Sequence, residues 1–248
     1  MKIKIKKELL LENLNKVSKA ISTKNLIPIL SGIKFDLTRE GLTLTASDND
    51  ITIQTFIPAD NKDMEIEKEG SIIIQGKYVL DIVRKLPDEF INIEVIDELK
   101  ILIYAENSEF NLNGINQKEY PNVNNLIPSD SFLKITANLS NLYDVIDRAS
   151  ILTSDKEKNI VTLETNKNLL IVRSSSAEIG RVEEKMNITK DNEEEIKISF
   201  SAKYMMDALR SFEGDTVELA FEGEVKPIII KDVEDPNLTQ LVLPIRTY

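Results

Sequence analysis

The sequence predicts an α+β fold built from one module used twice, each copy made of antiparallel strands with two helices. Three observations point there. Ile supplies 34 of the 248 residues, mostly in short β-branched runs that suit a pleated, half-buried surface. Only four stretches carry apolar residues at helical spacing. The second and fourth of these repeat one another. Residues 76–86 read Gly-Lys-Tyr-Val-Leu-Asp-Ile-Val-Arg-Lys-Leu and residues 202–212 read Ala-Lys-Tyr-Met-Met-Asp-Ala-Leu-Arg-Ser-Phe, so at an offset of 126 Lys77, Tyr78, Asp81 and Arg84 recur as Lys203, Tyr204, Asp207 and Arg210.

From the N-terminus, residues 2–6 alternate Lys and Ile, the pattern of a half-buried strand. Leu10, Leu14, Val17 and Ile21 then recur at i, i+4, i+7 and i+11, one face of a helix. Strands are expected at 33–37, 42–46 and 51–57, separated by Thr-Arg-Glu-Gly at 38–41 and Asp-Asn-Asp at 48–50. An Ile triplet at 72–74 leads into the second helix, whose stripe is Val79, Ile82, Val83 and Leu86, and strands at 91–96 and 101–105 follow. Tyr120-Pro121 and the Asn-rich run to Pro128 break both periodicities, because Pro disfavours helix at the residue before it and lacks a ladder donor. The boundary is placed there, giving domains at 1–121 and 122–248. In the second half Leu139, Tyr143, Ile146 and Ser150 echo the first helix, with Lys19-Ala20 laid over Arg148-Ala149 at an offset of 129. Strands at 160–164, 169–173 and 196–200 precede the fourth helix, with its stripe Met205, Ala208, Leu209 and Phe212, and acidic turns at 213–215 and 222–224 separate the last strands. A period near 126 is too long for a solenoid unit and right for a domain.

The composition removes most enzyme chemistry. With no His and no Cys, there is no imidazole or thiolate for a Ser-His-Asp triad, a thiol nucleophile, a disulfide or an ordinary zinc site. No cofactor is expected. The chain starts on alternating charges and has no run approaching 18 apolar residues, so neither a signal peptide nor a membrane span is expected, and a cytoplasmic location is.

Its 31 basic and 42 acidic residues give a net charge of −11, which at first sight argues against nucleic acid. The charge is segregated, however. Segments 7–21, 75–86, 139–152 and 203–212 hold nine basic and six acidic residues, a surplus of +3 that leaves −14 for the rest. On the second helix Lys77, Asp81 and Arg84 share a face with Lys85 adjacent, and Lys203, Asp207 and Arg210 repeat the pattern on the fourth. The first helix offers Glu12, Lys16 and Lys19 with Lys24 beyond, and the third only Arg148 against Asp144 and Asp147. An ordinary solvated helix surface would account for such pairs, each worth about 0.2–0.5 kcal/mol. A basic surface confined to helices also suits sequence-independent phosphate contact. No aromatic stacking platform is read on these faces, which favours duplex over single strands.

The motifs, taken in order, resemble the bacterial DNA polymerase III beta subunit, the sliding-clamp family, in its Gram-positive-like form. They are Asn25-Leu-Ile-Pro-Ile-Leu-Ser-Gly32, Thr45-Ala-Ser-Asp-Asn-Asp50, Phe110-Asn-Leu112, Tyr120-Pro121, Arg148-Ala-Ser-Ile-Leu152, Ser176-Ala-Glu-Ile-Gly180, Phe200-Ser-Ala-Lys-Tyr204 and the closing Leu241-Val-Leu-Pro-Ile-Arg-Thr-Tyr248. Each is weak alone; together they span nearly the whole chain. The resemblance implies the DNA-clamp fold: a head-to-tail homo-oligomeric ring around double-stranded DNA, helices lining the hole. Such a protein is a non-catalytic processivity factor that tethers the replicative polymerase. Lys24 matches a DNA-contacting loop, and Lys16, Lys19, Lys77, Arg84, Arg148, Lys203 and Arg210 are the expected duplex-facing cations. Phe110 and Leu112 match an edge that meets Ile151 and Leu152 of a neighbouring copy. Tyr204, Pro227, Leu241, Val242, Leu243, Pro244, Ile245 and Arg246 match the wall of a groove that receives a short peptide from the polymerase III catalytic subunit, the clamp loader and other partners. Without the resemblance, Phe110, Leu112, Ile151 and Leu152 fit an ordinary core and 241–245 an ordinary last strand, interrupted by Pro244.

The family has three domains per chain, and this chain resembles the first and third. A six-domain ring then takes three copies. The groove loses its middle-domain wall, because Ser-Asp-Asn-Asp at 47–50 stands in place of the His-Arg usually offered there, so weakened peptide binding is expected. Two other classes are readable: a Mg²⁺-dependent nuclease using Asp48 and Asp50 or Glu193, Glu194 and Glu195, and a β-rich scaffold that binds proteins without encircling DNA.

Overall fold

The structure, a computed structural model, describes residues 1–22, 27–59, 62–116, 120–121, 131–153 and 159–247. They fall in two units, Met1–Pro121 and Asn122–Tyr248.

In the first unit β1 (Lys2–Lys6) runs straight into α1 (Lys7–Val17), which ends in a 3-10 turn at Ser18–Ala20. After a second such turn at Pro28–Ser31 come β2 (Gly32–Leu37), β3 (Gly41–Ser47), β4 (Ile51–Pro58), β5 (Met64–Lys68) and β6 (Gly70–Gln75). Then follow α2 (Gly76–Lys85), β7 (Phe90–Asp97), β8 (Lys100–Tyr104) and β9 (Glu109–Asn113). One sheet has the order β5-β1-β7-β8-β9, and β4-β3-β2-β6 lie side by side in another, all antiparallel. The alternation of β1 buries Ile3 and Ile5 and turns its lysines outward, where Lys2 Nζ meets Glu67 at 2.8 Å. Helix α1 buries Leu10, Asn13, Leu14 and Val17, and α2 buries Gly76, Val79 and Val83. The helices pack antiparallel. Gly76 at the start of α2 stands so close to Ile21 that a Cβ would lie 2.3 Å from its Cδ1, and Arg84 at the other end is 3.5 Å from Asn15.

The second unit contains β10 (Leu133–Asn138), α3 (Leu139–Ser150), β11 (Ile160–Asn166), β12 (Leu169–Ser176), β13 (Gly180–Asn187), β14 (Thr189–Lys190) and β15 (Lys197–Ser201). It ends with α4 (Ala202–Leu209), β16 (Thr216–Phe221), β17 (Ile228–Asp232) and β18 (Leu238–Val242). Here β14-β10-β16-β17-β18 are neighbours in one sheet and β13-β12-β11-β15 form another. Strand for strand this is the first unit again, β10 standing for β1 and β18 for β9. The repeat visible in sequence at one helix is therefore a repeat of the whole module.

One reading needs correction. Helix α3 buries Leu142, Val145, Ile146 and Ala149, whereas Leu139, Tyr143 and Ser150 are half-buried. Both α1 and α3 begin at the residue after their strand ends, which places Leu142 over Leu10, Val145 over Asn13, Ile146 over Leu14 and Ala149 over Val17. The offset between these helices is 132, not 129. Arg148 is thus the counterpart of Lys16, and Ile151 the counterpart of Lys19. The start of α3 is held by Asn138, whose Oδ1 accepts the N–H of Asn141 at 3.0 Å.

Candidate nucleic-acid interface

The first helix pair presents its cations openly. Lys19, Lys77 and Lys85 are exposed and have no hydrogen-bond or ion-pair partner among the described residues. Arg84 reaches Asp81 only at 3.9 Å, and its side chain is 57% exposed. Lys16 is different: its Nζ donates to Glu12 at 2.9 Å and the side chain is only 12% exposed, so α1 keeps it close to its own surface. Lys24 lies outside the described residues.

The second helix pair carries the same kinds of residue in a different condition. Arg148 donates through Nε at 3.1 Å and Nη2 at 2.8 Å to one oxygen of Glu184 on β13. Those hydrogen bonds push its pKa above the usual guanidinium value, with Asp144 and Asp147 adding to the effect. Arg210 lies over the Tyr143 ring, 5.2 Å from its centroid, donates to the Tyr143 hydroxyl, and meets Asp207 at 3.3 Å. Lys203 is exposed without a partner among the described residues. The expectation of no aromatics on the helix faces is therefore corrected. Tyr143 takes part through Arg210, and Tyr78 on α2 is 52% exposed. Neither contact has a short-range sequence signal, since Arg148 and Glu184 are 36 residues apart and Tyr143 and Arg210 are 67 apart.

The candidate edge residues are not core. Phe110 on β9 is 38% exposed and Ile151, just past α3, is 72% exposed, while Leu112 and Leu152 are half-buried. Among the described residues β9 and β13 are outermost in their sheets. The last segment divides. Leu241 and Val242 are buried in β18, Leu243, Pro244 and Ile245 are half-buried, and Arg246 is exposed. Past β18 the chain crosses to β15, where Pro244 bridges Phe200 and the Ile245 N–H donates to Ser199 at 2.7 Å. Pro244 has no N–H, so the contact stays a bridge and does not become a full strand. Tyr204 is half-buried in the first turn of α4 and Pro227 is half-buried in the turn before β17.

Two of the carboxylates considered as metal ligands, Asp48 and Glu195, have other work. Asp48 Oδ1 accepts the N–H groups of Asp50 and Ile51 at 3.1 and 3.0 Å, closing the turn in which Asn49 has φ 77°. Glu195 pairs with Lys190 at 3.1 Å and accepts the Lys167 N–H at 2.8 Å. Among the described residues no three Asp or Glu side chains converge on a point that could hold a metal.

Two family models match the chain, the DNA polymerase III beta subunit N-terminal domain over residues 1–124 and its C-terminal domain over residues 124–246. The chain belongs to the DNA polymerase III beta subunit family. The beta sliding clamps of Staphylococcus epidermidis and Bacillus subtilis are each 27% identical to it, in alignments of 376 and 378 residues that cover both sequences completely. Solved structures of the beta subunits of Pseudomonas aeruginosa and Borrelia burgdorferi match all of this chain with TM-scores of 0.89 and 0.86 at 17% identity, over 66% and 63% of their own lengths. The shared fold is the α+β clamp fold. The two family models meet at residue 124, and the alignments are longer than the 248 residues available. What this member lacks is the family's middle domain. Beta subunits are non-catalytic processivity factors. No helix among the described residues is long and apolar enough to cross a membrane.

Proposed function

We propose that this beta-family chain works as a sliding clamp with two modules per subunit, encircling duplex DNA without reading its sequence and tethering the replicative polymerase. The observation that carries this reading is the exposure of a large apolar side chain on one outermost strand, Phe110, and of another, Ile151, at the end of the helix tied to a second outermost strand. A free strand edge presents unpaired N–H and C=O groups and templates pairing with another chain. Phe110 and Leu112 on β9 stand at one such edge. Ile151 and Leu152 stand at the end of α3, which is tied to the other, β13, through Arg148 and Glu184. Two different patches meeting head to tail build a ring when the rotation closes. Six modules then take three copies, with the helix faces toward the duplex. Because a ring holds DNA by topology, modest phosphate contact suffices.

Retention on circular DNA tests this directly. With clamp loader and ATP supplied, the protein is expected to co-elute with a nicked plasmid in gel filtration and to be lost when the plasmid is linearised. Retention that ignores linearisation, or no retention on either form, overturns the proposal; the second outcome is what a protein-binding scaffold gives. The wall formed by Tyr204, Pro227 and residues 241–246 is proposed for the polymerase III catalytic subunit and the clamp loader. Lacking the middle-domain wall, it should bind the clamp-binding peptide weakly. A titration yielding a micromolar or tighter Kd would refute this.

A further inference from the structure

We infer that the phosphate-holding surface of this protein is confined to the α1–α2 face of the first unit, and that the equivalent α3–α4 face of the second offers duplex DNA almost no attraction. The inference rests on the clamp reading only in taking duplex DNA as the partner.

The helical charge surplus is not shared. Residues 7–20 and 76–85 contain six basic and three acidic side chains, a balance of +3, whereas residues 139–150 and 202–210 contain three of each. Laid over each other by the structural equivalence of the units, the difference is carried by three exchanges. Lys19 becomes Ile151, Asn15 becomes Asp147, and Lys85 becomes Ser211, which is buried. Each removes a positive charge or adds a negative one.

Pairing widens the gap. In the first unit Lys19, Lys77 and Lys85 have no competing partner among the described residues. Lys19 and Lys77 lie toward the end where Ile21 meets Gly76, and Arg84 and Lys85 lie toward the end where Arg84 meets Asn15. Cations therefore run the length of the pair. In the second unit Arg148 is held by Glu184, and Arg210 by Tyr143 and Asp207. That leaves Lys203 facing a surface that also exposes Asp144 and Asp147. A phosphate approaching there must displace an internal partner or pass two carboxylates. Within a Debye length of about 10 Å at 0.1 M salt these like charges are felt.

The repeat supplies a matched test. Lys77 and Lys203 occupy the same repeat position, and both are exposed and unpartnered among the described residues, so Lys77→Glu and Lys203→Glu perturb neither core. Binding of the full chain to a short fluorescent duplex is measured by anisotropy over a salt series. Lys77→Glu should weaken binding about tenfold at low salt and lower the slope of log K against log salt by about one. Lys203→Glu should change affinity less than about twofold. Equal losses from the two variants, a larger loss from Lys203→Glu, or no salt-dependent binding by the parent protein would each overturn the inference. If the two variants differ as stated but the parent is not retained on circular DNA, the clamp reading fails and the asymmetry stands. If circles are retained and the variants behave alike, the reverse holds.

Discussion

At the residue scale, partners decide what a charge offers. Arg148 and Lys77 both stand on helix faces, yet one is bound twice by Glu184 and the other is exposed with no partner among the described residues. Glu183 shows the same principle from the acidic side. It lies between Lys185 at 2.9 Å and Arg173 at 2.7 Å, and hydrogen bonds from these two, Lys185 first, hold its carboxyl down at about 2, against 4.5 for an ordinary Glu. A folded-state pKa below the unfolded one means that the contribution to stability is complete above pH 4.5 and is lost as pH falls toward 2. The side chain should therefore remain ionised at pH values where a free Glu has taken up its proton. Carboxyl-carbon NMR titration reads this, and a midpoint near 4.5 for Glu183 would show that the pair does not form in solution.

At the scale of elements, most of the module was legible along the chain because its signals are local. The alternation of β1 and the stripes of α1, α2 and α4 each repeat within a few residues, and the charged and core-facing positions separate cleanly on α2. On helix α3 Leu139, Leu142, Tyr143, Val145, Ile146 and Ala149 spread apolar character over adjacent faces, so periodicity alone does not choose a stripe. The choice is made by β10, which fixes where the helix begins. Asn138 is the hinge of that choice, and among the four α-helices of the described residues only α3 has a side-chain hydrogen bond at its N-cap. Asn138→Ala should cost about 1 kcal/mol, within a range of about 0.5–2, by leaving the Asn141 N–H without its acceptor. Urea unfolding measures the cost, and an unchanged midpoint would mean that water replaces the cap without loss.

At the scale of the whole molecule, two modules per chain make the oligomer the deciding quantity. Ile151 is 72% exposed and contributes little to the core of its own unit, so Ile151→Arg should reduce an assembled ring to single chains while leaving the melting temperature of the separate chain within a degree or two. Light scattering with the parent protein should give three chain masses. A parent that is monomeric at every concentration counts against a ring. Sequence alone established the β-rich module, its duplication, the absence of imidazole and thiol chemistry, and the concentration of positive charge on helices, because composition and periodicity can be read without knowing which distant residues meet. Tertiary structure decided the rest: that Phe110 and Ile151 face outward, that Pro244 bridges Phe200, and that Arg148 and Arg210 are occupied while Lys77 has no partner among the described residues. Exposure and pairing depend on side chains brought together from tens of residues apart, so the charge balance of each helix pair can be counted along the chain, whereas which of its cations stay open to a phosphate emerges only when those contacts are in place.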